Sequence, residues 1–504
     1  MSFYITTAID YVNGEPHLGH AYEKIATDVL ARHHRQRGED VFFLTGADEH
    51  GEPVADSAAA NGATPQQWAD RNVERFKALL PPLNISNDFF IRTTDPEHKA
   101  TVQRVMQTIY DNGYVYKGTY EGWYCPRCAD FKTESEVIDG NRCPVHEIEL
   151  NREREENWFF KLSAFQELLE ELYATRPDFV MPERAMNEAK AFVAQGLQDI
   201  SLSRSQLKWG VEVPWDPEQV FYVWFDALLN YYTALGYARP GEDLTERYWP
   251  AQFHVIGKDI LKFHAIFWPA MLLAADIEPP RQILVHGFLL AADGRKMSKS
   301  LGNVLDPFEA IDRYGVDALR FYLMRDVTLG QDGAVGIEGL ATRYTTELAN
   351  ELGNLASRTL AMIQRYRNGV VPGVETDALL QHEFDGLVDQ VIDRFDRFDT
   401  SGALAEIWQR VRRLNRYVEE RAPWQLAKAA ADADALDTVL VSLYEGLRVV
   451  AILLHPYIPD SVGTLLAAIG VDELTLAAAE YSATGVGANG VTVSQLAPLF
   501  PKRD

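Results

Sequence analysis

Short apolar runs alternate with helical patterns at the start of the chain. Residues 3–9 are rich in β-branched and aromatic side chains, which predicts a strand. A polar turn at 13–16 precedes a helical pattern over 21–35, and residues 41–45 predict a second, buried strand. Polar residues 46–51 follow that strand directly. This order is typical of an open α/β sheet, whose ligands bind at the carboxyl ends of the strands.

The next block, residues 114–215, breaks this rhythm. It is rich in Tyr, Trp and charged residues and contains only short, hairpin-like apolar runs. Strand patterns resume at 221–224, 253–257 and 282–285. We therefore predict one α/β domain in two halves, 1–113 and 216–339, separated by an insertion at 114–215.

The pattern from about residue 340 onward is helical. Apolar positions recur three and four residues apart from Tyr344 to Tyr366, again over 402–421, and again over 436–454. Residues 340–504 are therefore predicted to form a separate helix bundle. The segment after Val471 has too few apolar residues for a core of its own, and we expect it to pack back on the body of the protein.

Composition and charge narrow the class of protein. The chain has 504 residues, 47% of them hydrophobic, and no apolar run near the roughly 20 residues that a membrane span needs. Its start does not resemble a secretion signal, so a cytoplasmic location is the default expectation. The formal net charge of −25 argues against a general nucleic-acid binder. Any RNA contact would need a local basic patch, which Arg410, Arg412, Arg413 and Arg416 are expected to supply.

All three cysteines lie in one short segment. Cys125 and Cys128 form a C-x2-C pair, and Cys143 with His146 forms a C-x2-H pair. Two short chelating loops of soft ligands predict a tetrahedral Zn²⁺ site, and four protein ligands make the metal structural. The alternative is that the cysteines are merely small buried residues.

Two further motifs point to phosphate chemistry. His17, Gly19 and His20 stand where the first predicted strand and turn lead into a helix N-terminus, which favours polyphosphate binding. Far downstream, the run KMSKS places Lys296 and Lys299 in a loop between two glycines, where they suit a triphosphate. Taken alone, the histidines could simply cap the helix, and the lysines could belong to a solvated loop.

Together, HLGH and KMSKS resemble the signature of class I aminoacyl-tRNA synthetases. The runs FYVWFDA, HVIGKDI, FHAIFWPAM and VHGFL, at 221–289, are similar to the methionine pocket of methionyl-tRNA synthetases. The resemblance covers essentially the whole chain. It implies a Rossmann-like parallel-sheet catalytic domain split by a zinc-knuckle insertion, followed by an α-helical anticodon-binding bundle. Without it, most of the pocket residues would be read as ordinary core.

The resemblance implies a role for each matching position. Asp48 would hold the methionine ammonium group, and the side chain would be enclosed by Ala8, Ile9, Tyr11, Trp224, Leu228, Tyr231, Ile260 and His264. ATP would be bound by His17, Gly19, His20, Lys258, Asp259, His286, Gly287, Lys296 and Lys299. Of these, the catalytic set would be His17, His20, Lys296 and Lys299. The anticodon would be read by Asn354, Arg358 and Trp424.

The implied activity is ATP-dependent ligation of L-methionine to tRNA(Met), with Mg²⁺ accompanying ATP and one structural Zn²⁺. Two alternatives stay open: a class I synthetase for another amino acid, and an RNA-binding paralogue that has lost catalysis. The C-terminal dimerisation appendage of some relatives is not expected here, which predicts a monomer. Arg204 falls at a position associated with the active-site wall. Asp10 departs from the family's usual apolar residue or proline beside the pocket.

Overall fold

The structure is a computed structural model that describes residues 1–125, 130–132, 134, 136–145, 147–297, 304–484 and 490–503. Its strands are β1 Ser2–Thr7, β2 Asp10–Tyr11, β3 Asp40–Asp48, β4 Phe89–Arg92, β5 Val115–Cys125, β6 Asp130–Lys132, β7 Asn151–Phe160, β8 Val180–Met181, β9 Ile200–Ser201, β10 Ser203–Arg204, β11 Glu212–Val213, β12 Asp216–Phe221, β13 Phe253–Gly257, β14 Gln282–His286, β15 Leu289–Ala291 and β16 Gly333–Val335.

The α-helices are α1 Leu18–Gln36, α2 Glu52–Ala60, α3 Pro65–Lys77, α4 Pro96–Asp111, α5 Gln166–Thr175, α6 Glu183–Val193, α7 Val223–Ala227, α8 Asn230–Thr233, α9 Thr245–Tyr248, α10 Trp268–Ala274, α11 Pro307–Tyr314, α12 Val316–Asp326, α13 Ile337–Arg343, α14 Asn354–Arg367, α15 Ala378–Phe384, α16 Leu387–Asp396, α17 Thr400–Arg421, α18 Pro423–Leu426, α19 Ala433–Leu454 and α20 Pro459–Ile469. Two segments, Phe263–Phe267 and Tyr344–Gly353, are π-helical.

Internal contacts divide the chain into two compact units. The first unit comprises Met1–Pro16, Val41–Pro81 and Asn87–His286. The second unit comprises His17–Asp40, Pro82–Ser86 and Gly287–Asp504. The division falls at other points than the four segments proposed from the sequence, whose boundaries stay predictions.

A seven-stranded sheet organises the first unit. Its strand order is β2-β3-β1-β13-β14-β8, with β4 paired to β3. The pairings of β13 with β1 and β14 are parallel, as are those of β3 with β2 and β4. The apolar strands are buried on both faces, as a parallel sheet requires, and this confirms the predicted fold class.

The insertion forms a small antiparallel sheet of its own. Strands β5 and β7 pair over ten residues, from Val115 opposite Phe160 to Tyr124 opposite Asn151, and β6 and β9 flank them. The structure adds one feature that the sequence pattern did not predict. Val180–Met181, inside the stretch proposed as the insertion, pairs with β14 and forms the far edge of the parallel sheet.

The prediction of a strand at residues 221–224 is wrong. Phe221 ends β12, which pairs with β10 and β11 in a separate three-stranded antiparallel sheet, and α7 begins at Val223. Residues 221–223 are buried and Trp224 is partly buried, and a short buried run has the same composition in a strand and in a helix. The parallel sheet resumes at β13.

The second unit is largely helical. In α17 the predicted inward positions are all buried: Leu404, Ile407, Trp408, Val411, Leu414 and Val418. The C-terminal segment packs on this unit, as expected, because Val493 donates its amide proton to the Gly369 carbonyl and the Tyr344 hydroxyl donates to the Pro501 carbonyl. No helix in the described ranges is long and apolar enough to cross a membrane.

One buried ion pair ties α1 into the second unit. Arg320 of α12 is fully buried and donates to the Asp28 carboxylate at 2.7 Å. It also donates to the carbonyl oxygens of Leu83, Pro456 and Tyr457. A desolvated charge pair is tolerated only with such complete hydrogen bonding, so these contacts fix the helices they join.

Candidate active site

Polar side chains collect at one edge of the parallel sheet in the first unit. Strand β1 ends at Thr7, and Ala8 then donates its amide proton to Val255 of β13. Gly257 of β13 lies opposite His286 of β14, and β3 ends at Asp48. Because parallel strands end on the same side, residues 8–11, 48, 258–260 and 286 lie along one edge, where α/β sheets bind ligands.

Seven of the eight residues predicted to enclose the methionine side chain belong to one apolar cluster within this unit or pack against it. Leu228 and Tyr231 are buried in it, and the others pack against its surface: Ala8, Ile9, Tyr11, Trp224 and Ile260. His264 is also buried and forms a hydrogen bond with Tyr231. The side chains that the resemblance assigns to the amino acid therefore lie in or against the core of this unit, and their role in binding stays a prediction.

The Tyr231–His264 hydrogen bond has a defined direction. His264 Nδ1 lies 3.0 Å from the Ile260 carbonyl oxygen, which can only accept, so Nδ1 carries the proton. Burial lowers the pKa of His264 to about 4, although the bond to Ile260 opposes the shift. The neutral ring thus accepts at Nε2, where the Tyr231 hydroxyl donates across 2.7 Å.

Aromatic packing holds this pair in place. The Tyr231 ring stacks on His254, with 4.1 Å between ring centroids, and its backbone carbonyl accepts from the Tyr4 hydroxyl at 2.7 Å. His264 lies in the π-helical turn Phe263–Phe267, whose first residue stacks on Trp224 at 3.7 Å. π-helical turns are frequent at functional sites because they shift side chains out of the regular helical register.

Asp48 is a buried carboxylate at the end of β3. Burial raises its pKa well above the ordinary value, and the negative charge of Asp226 adds to that shift. The neighbouring Tyr11 hydroxyl donates to the His50 carbonyl at 2.7 Å. A carboxylate this poorly solvated favours a cationic partner, which fits the ammonium group assigned to it.

Three residues next to this site were not singled out from the sequence. Asp226 accepts from His50 Nδ1 at 2.5 Å and from His98 Nε2 at 2.7 Å, and all three side chains are buried. Burial raises the pKa of Asp226, but the two histidines outweigh it and lower the pKa to about 2. The sequence signals were weak: Asp226 and His50 lie inside recognised runs, whereas His98 is one of several polar residues near a helix N-terminus.

Gly257, at the end of β13, has little free space around its Cα on the side of the candidate ATP-binding residues. A Cβ on Gly257 would meet the Asp259 carboxylate at 2.6 Å and the His286 ring at 3.7 Å. Asp259 is exposed, Lys258 is half-buried, and His286 is buried at the end of β14. The end of β13 therefore presents backbone without a side chain between the Asp259 carboxylate and the His286 imidazole.

The two motif histidines lie in the second unit, where they cap α1. His17 Nδ1 accepts from the Gly19 amide, and the His17 amide donates to His20 Nδ1, both at 3.1 Å. Their rings stack with 3.7 Å between centroids. The capping interpretation is therefore correct as local structure, and it leaves both side chains at a helix N-terminus, where an anion is favoured.

The lysine loop is only partly described. Lys296 is exposed, and its backbone bridges to Leu290 of β15. Lys299 lies outside the described residues. In the same unit, Gly287 packs so closely on the backbone of Gln331 that a Cβ would lie 2.3 Å from its carbonyl, so a larger residue at this position would force the two segments apart.

The predicted zinc ligands are also partly described. Cys125, at the end of β5, and Cys143 are both fully buried and share one small cluster with Leu150. Cys143 donates its amide proton to Ile148 and its carbonyl accepts from Glu147, which closes a tight turn. Cys128 and His146 lie outside the described residues. Two thiols in one cluster suit a shared soft ion, and no metal-binding group of three or more ligands occurs among the residues described.

The predicted anticodon residues lie in the second unit. Asn354 is exposed at the start of α14, and Arg358 lies one turn later. Arg358 donates to Glu419 of α17 at 2.7 Å and to Asn415 at 3.3 Å. Trp424, in α18, is 38% exposed and presents an aromatic surface to solvent. Arg358 is therefore already hydrogen-bonded within the protein, whereas Asn354 and Trp424 are exposed to solvent.

Two of the four arginines expected to form a basic patch on α17 are neutralised by ion pairs. Arg412 pairs with Glu347 at 2.9 Å and Glu351 at 3.1 Å. Arg413 likewise pairs with Glu383 and Glu420. For Arg416, one turn beyond Arg412 and exposed, no ion pair occurs within the described part of the chain. The charge of α17 toward solvent is thus smaller than its four arginines imply.

Comparison with known proteins finds two family models that match consecutive parts of the chain. A family model described as tRNA synthetases class I (M) matches residues 3–153 and 142–360, and a model of the anticodon binding domain of methionyl tRNA ligase matches residues 369–503. The chain belongs to the methionyl-tRNA synthetase family. It is a class I synthetase with a helical anticodon-binding domain, which confirms the expectation from its motifs.

Curated relatives and solved structures resemble this synthetase over its full length. A methionine–tRNA ligase of Caldanaerobacter subterraneus is 44% identical, with 100% of this chain and 79% of the relative covered. The Streptomyces coelicolor ligase is 44% identical, with 99% and 96% covered. The crystal structure of Mycobacterium tuberculosis methionyl-tRNA synthetase bound by methionyl-adenylate is 41% identical, with a TM-score of 0.93 over 99% of this chain and 100% of that one.

Proposed function

We propose that this synthetase attaches L-methionine to tRNA(Met), initiator and elongator, in two steps. In the first step a methionine carboxylate oxygen attacks the α-phosphorus of Mg²⁺–ATP, forming methionyl-adenylate and releasing pyrophosphate. In the second step a ribose hydroxyl of the terminal adenosine of the tRNA takes the methionyl group and AMP leaves. The carboxylate is already ionised, so the first step needs positioning and electrostatic stabilisation rather than a general base.

The observation that carries the choice of amino acid is the neutral Tyr231–His264 pair within an aromatic and aliphatic wall. Trp224, Tyr231 and His264 offer polarisable faces to a flexible thioether, which gains from such contacts. A branched side chain would not follow the same path between them. We assign the side-chain pocket to Ala8, Ile9, Tyr11, Trp224, Leu228, Tyr231, Ile260 and His264, and the ammonium site to Asp48.

We assign ATP to the carboxyl edge of the sheet and to the helix cap. Asp259 is exposed at the end of β13 and suits the ribose hydroxyls, while Lys258 supplies a positive charge beside it. The other proposed ATP-binding residues are His17, Gly19, His20, His286, Gly287, Lys296 and Lys299. His17, His20, Lys296 and Lys299 would stabilise the charge that grows as pyrophosphate leaves.

We further propose that Asn354, Arg358 and Trp424 read the anticodon. The exposed Trp424 ring offers a stacking surface for an unstacked loop base. Arg358 would have to exchange Glu419 for a base or phosphate, so its binding is a competition between two partners. Replacing Trp424 with Ala should lower tRNA affinity and leave adenylate formation intact, as separate tRNA-binding and exchange assays would reveal.

We propose one structural Zn²⁺ held by Cys125, Cys128, Cys143 and His146. Cys125 and Cys143 already share a buried cluster, which supports a common ion. The metal would fix the turns of the insertion and take no part in the reaction, since four protein ligands leave no open position. Metal analysis of the purified chain should find one zinc per chain, and Cys143→Ser should lose it.

The finer points of assembly and location are also proposals. We expect the 504-residue chain to be a monomer, so a sedimentation mass near 56.8 kDa is the expected result and twice that mass would refute it. We expect it to act in the cytoplasm, where charged tRNA enters translation. Fractionation of the source cells would test this.

The deciding experiment is ATP–pyrophosphate exchange with each of the twenty amino acids, with Lys299→Ala as the control. Exchange strongest with methionine, and lost in the control, is the expected result. Exchange strongest with another amino acid would replace methionine and leave the class I reaction in place. Exchange with none would favour the RNA-binding paralogue that has lost catalysis.

A further inference from the structure

Asp226 links three elements that surround the proposed methionine pocket. Its carboxylate lies in α7 and accepts one hydrogen bond from His50, just beyond β3, and one from His98 of α4. His98 Nδ1 in turn lies 2.7 Å from the hydroxyl of Thr233, in α8. These contacts occur within the first unit and form one continuous buried chain, which we call the Asp226 network: His50, Asp226, His98 and Thr233.

Every member of this network except His98 lies two residues from a proposed methionine residue. His50 follows Asp48, and its carbonyl also accepts from Tyr11. Asp226 lies between Trp224 and Leu228, and Thr233 follows Tyr231. The network therefore connects the ammonium site, the α7 wall and the Tyr231 wall through a single carboxylate.

We propose that Asp226, held by His50 and His98, is the positioning residue that sets the walls of the methionine pocket relative to one another. The inference rests on the proposed function. It adds a role for three residues that touch no substrate in the proposed mechanism and that act through Asp48, Trp224 and Tyr231.

The hydrogen-bond chemistry makes Asp226 difficult to replace. A carboxylate accepts from both histidines at once, so His50 donates from Nδ1 and His98 donates from Nε2. An asparagine in its place has one accepting oxygen and one donating amide. One histidine would then face a donor, and the buried mismatch would have to be relieved by moving one wall.

His50 offers a matched pair of variants. An asparagine at this position keeps a donor close to where Nδ1 lies and removes Nε2, whereas a glutamine puts its donor near Nε2 and withdraws it from Asp226. His50 Nε2 is buried and has no partner among the residues described, so its loss alone should cost little. The two variants thus separate the bond to Asp226 from any other use of the ring.

The test is ATP–pyrophosphate exchange by the full chain, titrating methionine and ATP separately. We expect His50→Gln and Asp226→Asn to raise KM for methionine by about tenfold or more and to change KM for ATP by less than about twofold. His50→Asn should recover most of the methionine affinity. Thermal unfolding of both His50 variants checks that the difference does not come from unfolding.

The pH dependence of kcat/KM for methionine distinguishes a positioning role of Asp226 from general damage to the fold. Asp48 is faced by Asp226 of α7, by Tyr11 of β2 and by Glu49, which follows β3 directly and is paired with Arg92 of β4. Because the negative charge of Asp226 raises the pKa of Asp48, Asp226→Asn should lower that pKa. The acidic limb of kcat/KM for methionine should therefore move to lower pH.

The outcomes are distinct. No methionine-dependent exchange by the unmodified chain would refute the proposed function itself. Normal exchange combined with unchanged KM for methionine in His50→Gln would overturn the positioning role. Equal damage from His50→Asn and His50→Gln, or an equal rise in KM for both substrates, would also overturn it. An unmoved acidic limb in Asp226→Asn would remove the link to Asp48.

Discussion

At the scale of single residues, the direction of one hydrogen bond constrains how the amino acid is recognised. His264 carries its proton on Nδ1 because the Ile260 carbonyl can only accept. The Tyr231 hydroxyl therefore donates its single proton to His264 Nε2. In this arrangement a thioether sulfur, itself a weak acceptor, receives no hydrogen bond from the pair. In the proposed pocket, recognition then rests on aromatic contact and shape and not on a hydrogen bond to sulfur.

Replacing Tyr231 with Phe tests this directly. The change removes a hydroxyl and leaves His264 Nε2 as a buried acceptor without its donor, at a cost of about 1–3 kcal/mol. We expect kcat/KM in exchange to fall by a similar factor for methionine and for norleucine, which has a CH₂ in place of sulfur. The ratio of the two values is the quantity to measure.

A collapse of that ratio in Tyr231→Phe would mean that the hydroxyl does donate to sulfur. His264→Asn is a useful comparison because its amide nitrogen can still reach the Ile260 carbonyl while the acceptor for Tyr231 is lost. Freed from His264, the hydroxyl should then gain a preference for sulfur, and the methionine-to-norleucine ratio should rise.

At the scale of elements, α17 shows how pairing alters the meaning of a charge pattern. Arg412 and Arg416 are one turn apart and both exposed, yet Arg412 is shared between Glu347 and Glu351. An arginine already paired with two carboxylates gains little from a phosphate, because it must give up those contacts first. Arg416 is therefore the better candidate for contact with tRNA.

These two arginines form a matched pair for mutation. Arg416→Gln should weaken tRNA binding and lower the slope of log affinity against log salt by about one. Arg412→Gln should leave the slope nearly unchanged and instead destabilise the second unit by about 1 kcal/mol or less, as expected for a partly exposed ion pair. Filter binding at several salt concentrations measures the first effect and urea unfolding measures the second.

A salt slope that changes in Arg412→Gln but not in Arg416→Gln would contradict the assignment. It would mean that the tRNA displaces Glu347 and Glu351 from Arg412. The face of α17 that binds tRNA would then be the face that carries Arg412.

Element boundaries were predicted best where one periodicity held over a long stretch. The helix expected at 402–421 is Thr400–Arg421, and the strand expected at 253–257 is Phe253–Gly257. The π-helical segment Tyr344–Gly353 left no trace in the apolar spacing, since a widened turn still buries every third or fourth residue. The strand predicted at 221–224 was wrong because a short apolar run that is mostly buried has the same composition in a strand and in a helix.

At the scale of the whole molecule, the site was predictable to the extent that it consists of contiguous motifs. Asp48, Tyr231 and His264 stand in recognisable runs, so their positions along the chain were enough to propose a pocket. The Asp226 network was not predictable, because His50, His98 and Asp226 are far apart in sequence and meet only through the fold. Likewise, which arginines keep an unneutralised charge depends on helix packing and not on composition.

Buried histidines add a pH dependence to the stability of the whole chain. Burial lowers the pKa of His33 and His254 well below the ordinary value, and that of His264 and His455 to about 4. In the unfolded chain each of these histidines takes up a proton near pH 6.5, so below that pH the unfolded state binds more protons. The stability from neutral burial is complete above pH 6.5 and is lost as the pH falls toward the folded pKa.

His33 provides the test of this linkage. Its ring is 1% exposed and stacks on Phe395 with 3.7 Å between centroids and 4° between planes, so phenylalanine can keep the packing while removing the titrating nitrogen. From about pH 7 to 5, the unmodified chain should lose up to about 1.4 kcal/mol of unfolding free energy per pH unit for each such histidine. His33→Phe should lose less unfolding free energy over this range, by the contribution of one histidine. Its urea midpoint should therefore exceed that of the unmodified chain by more as the pH falls. Parallel pH curves for the two proteins would show that His33 is protonated equally in the folded and unfolded chains, and burial of this ring would then have no part in the acid sensitivity.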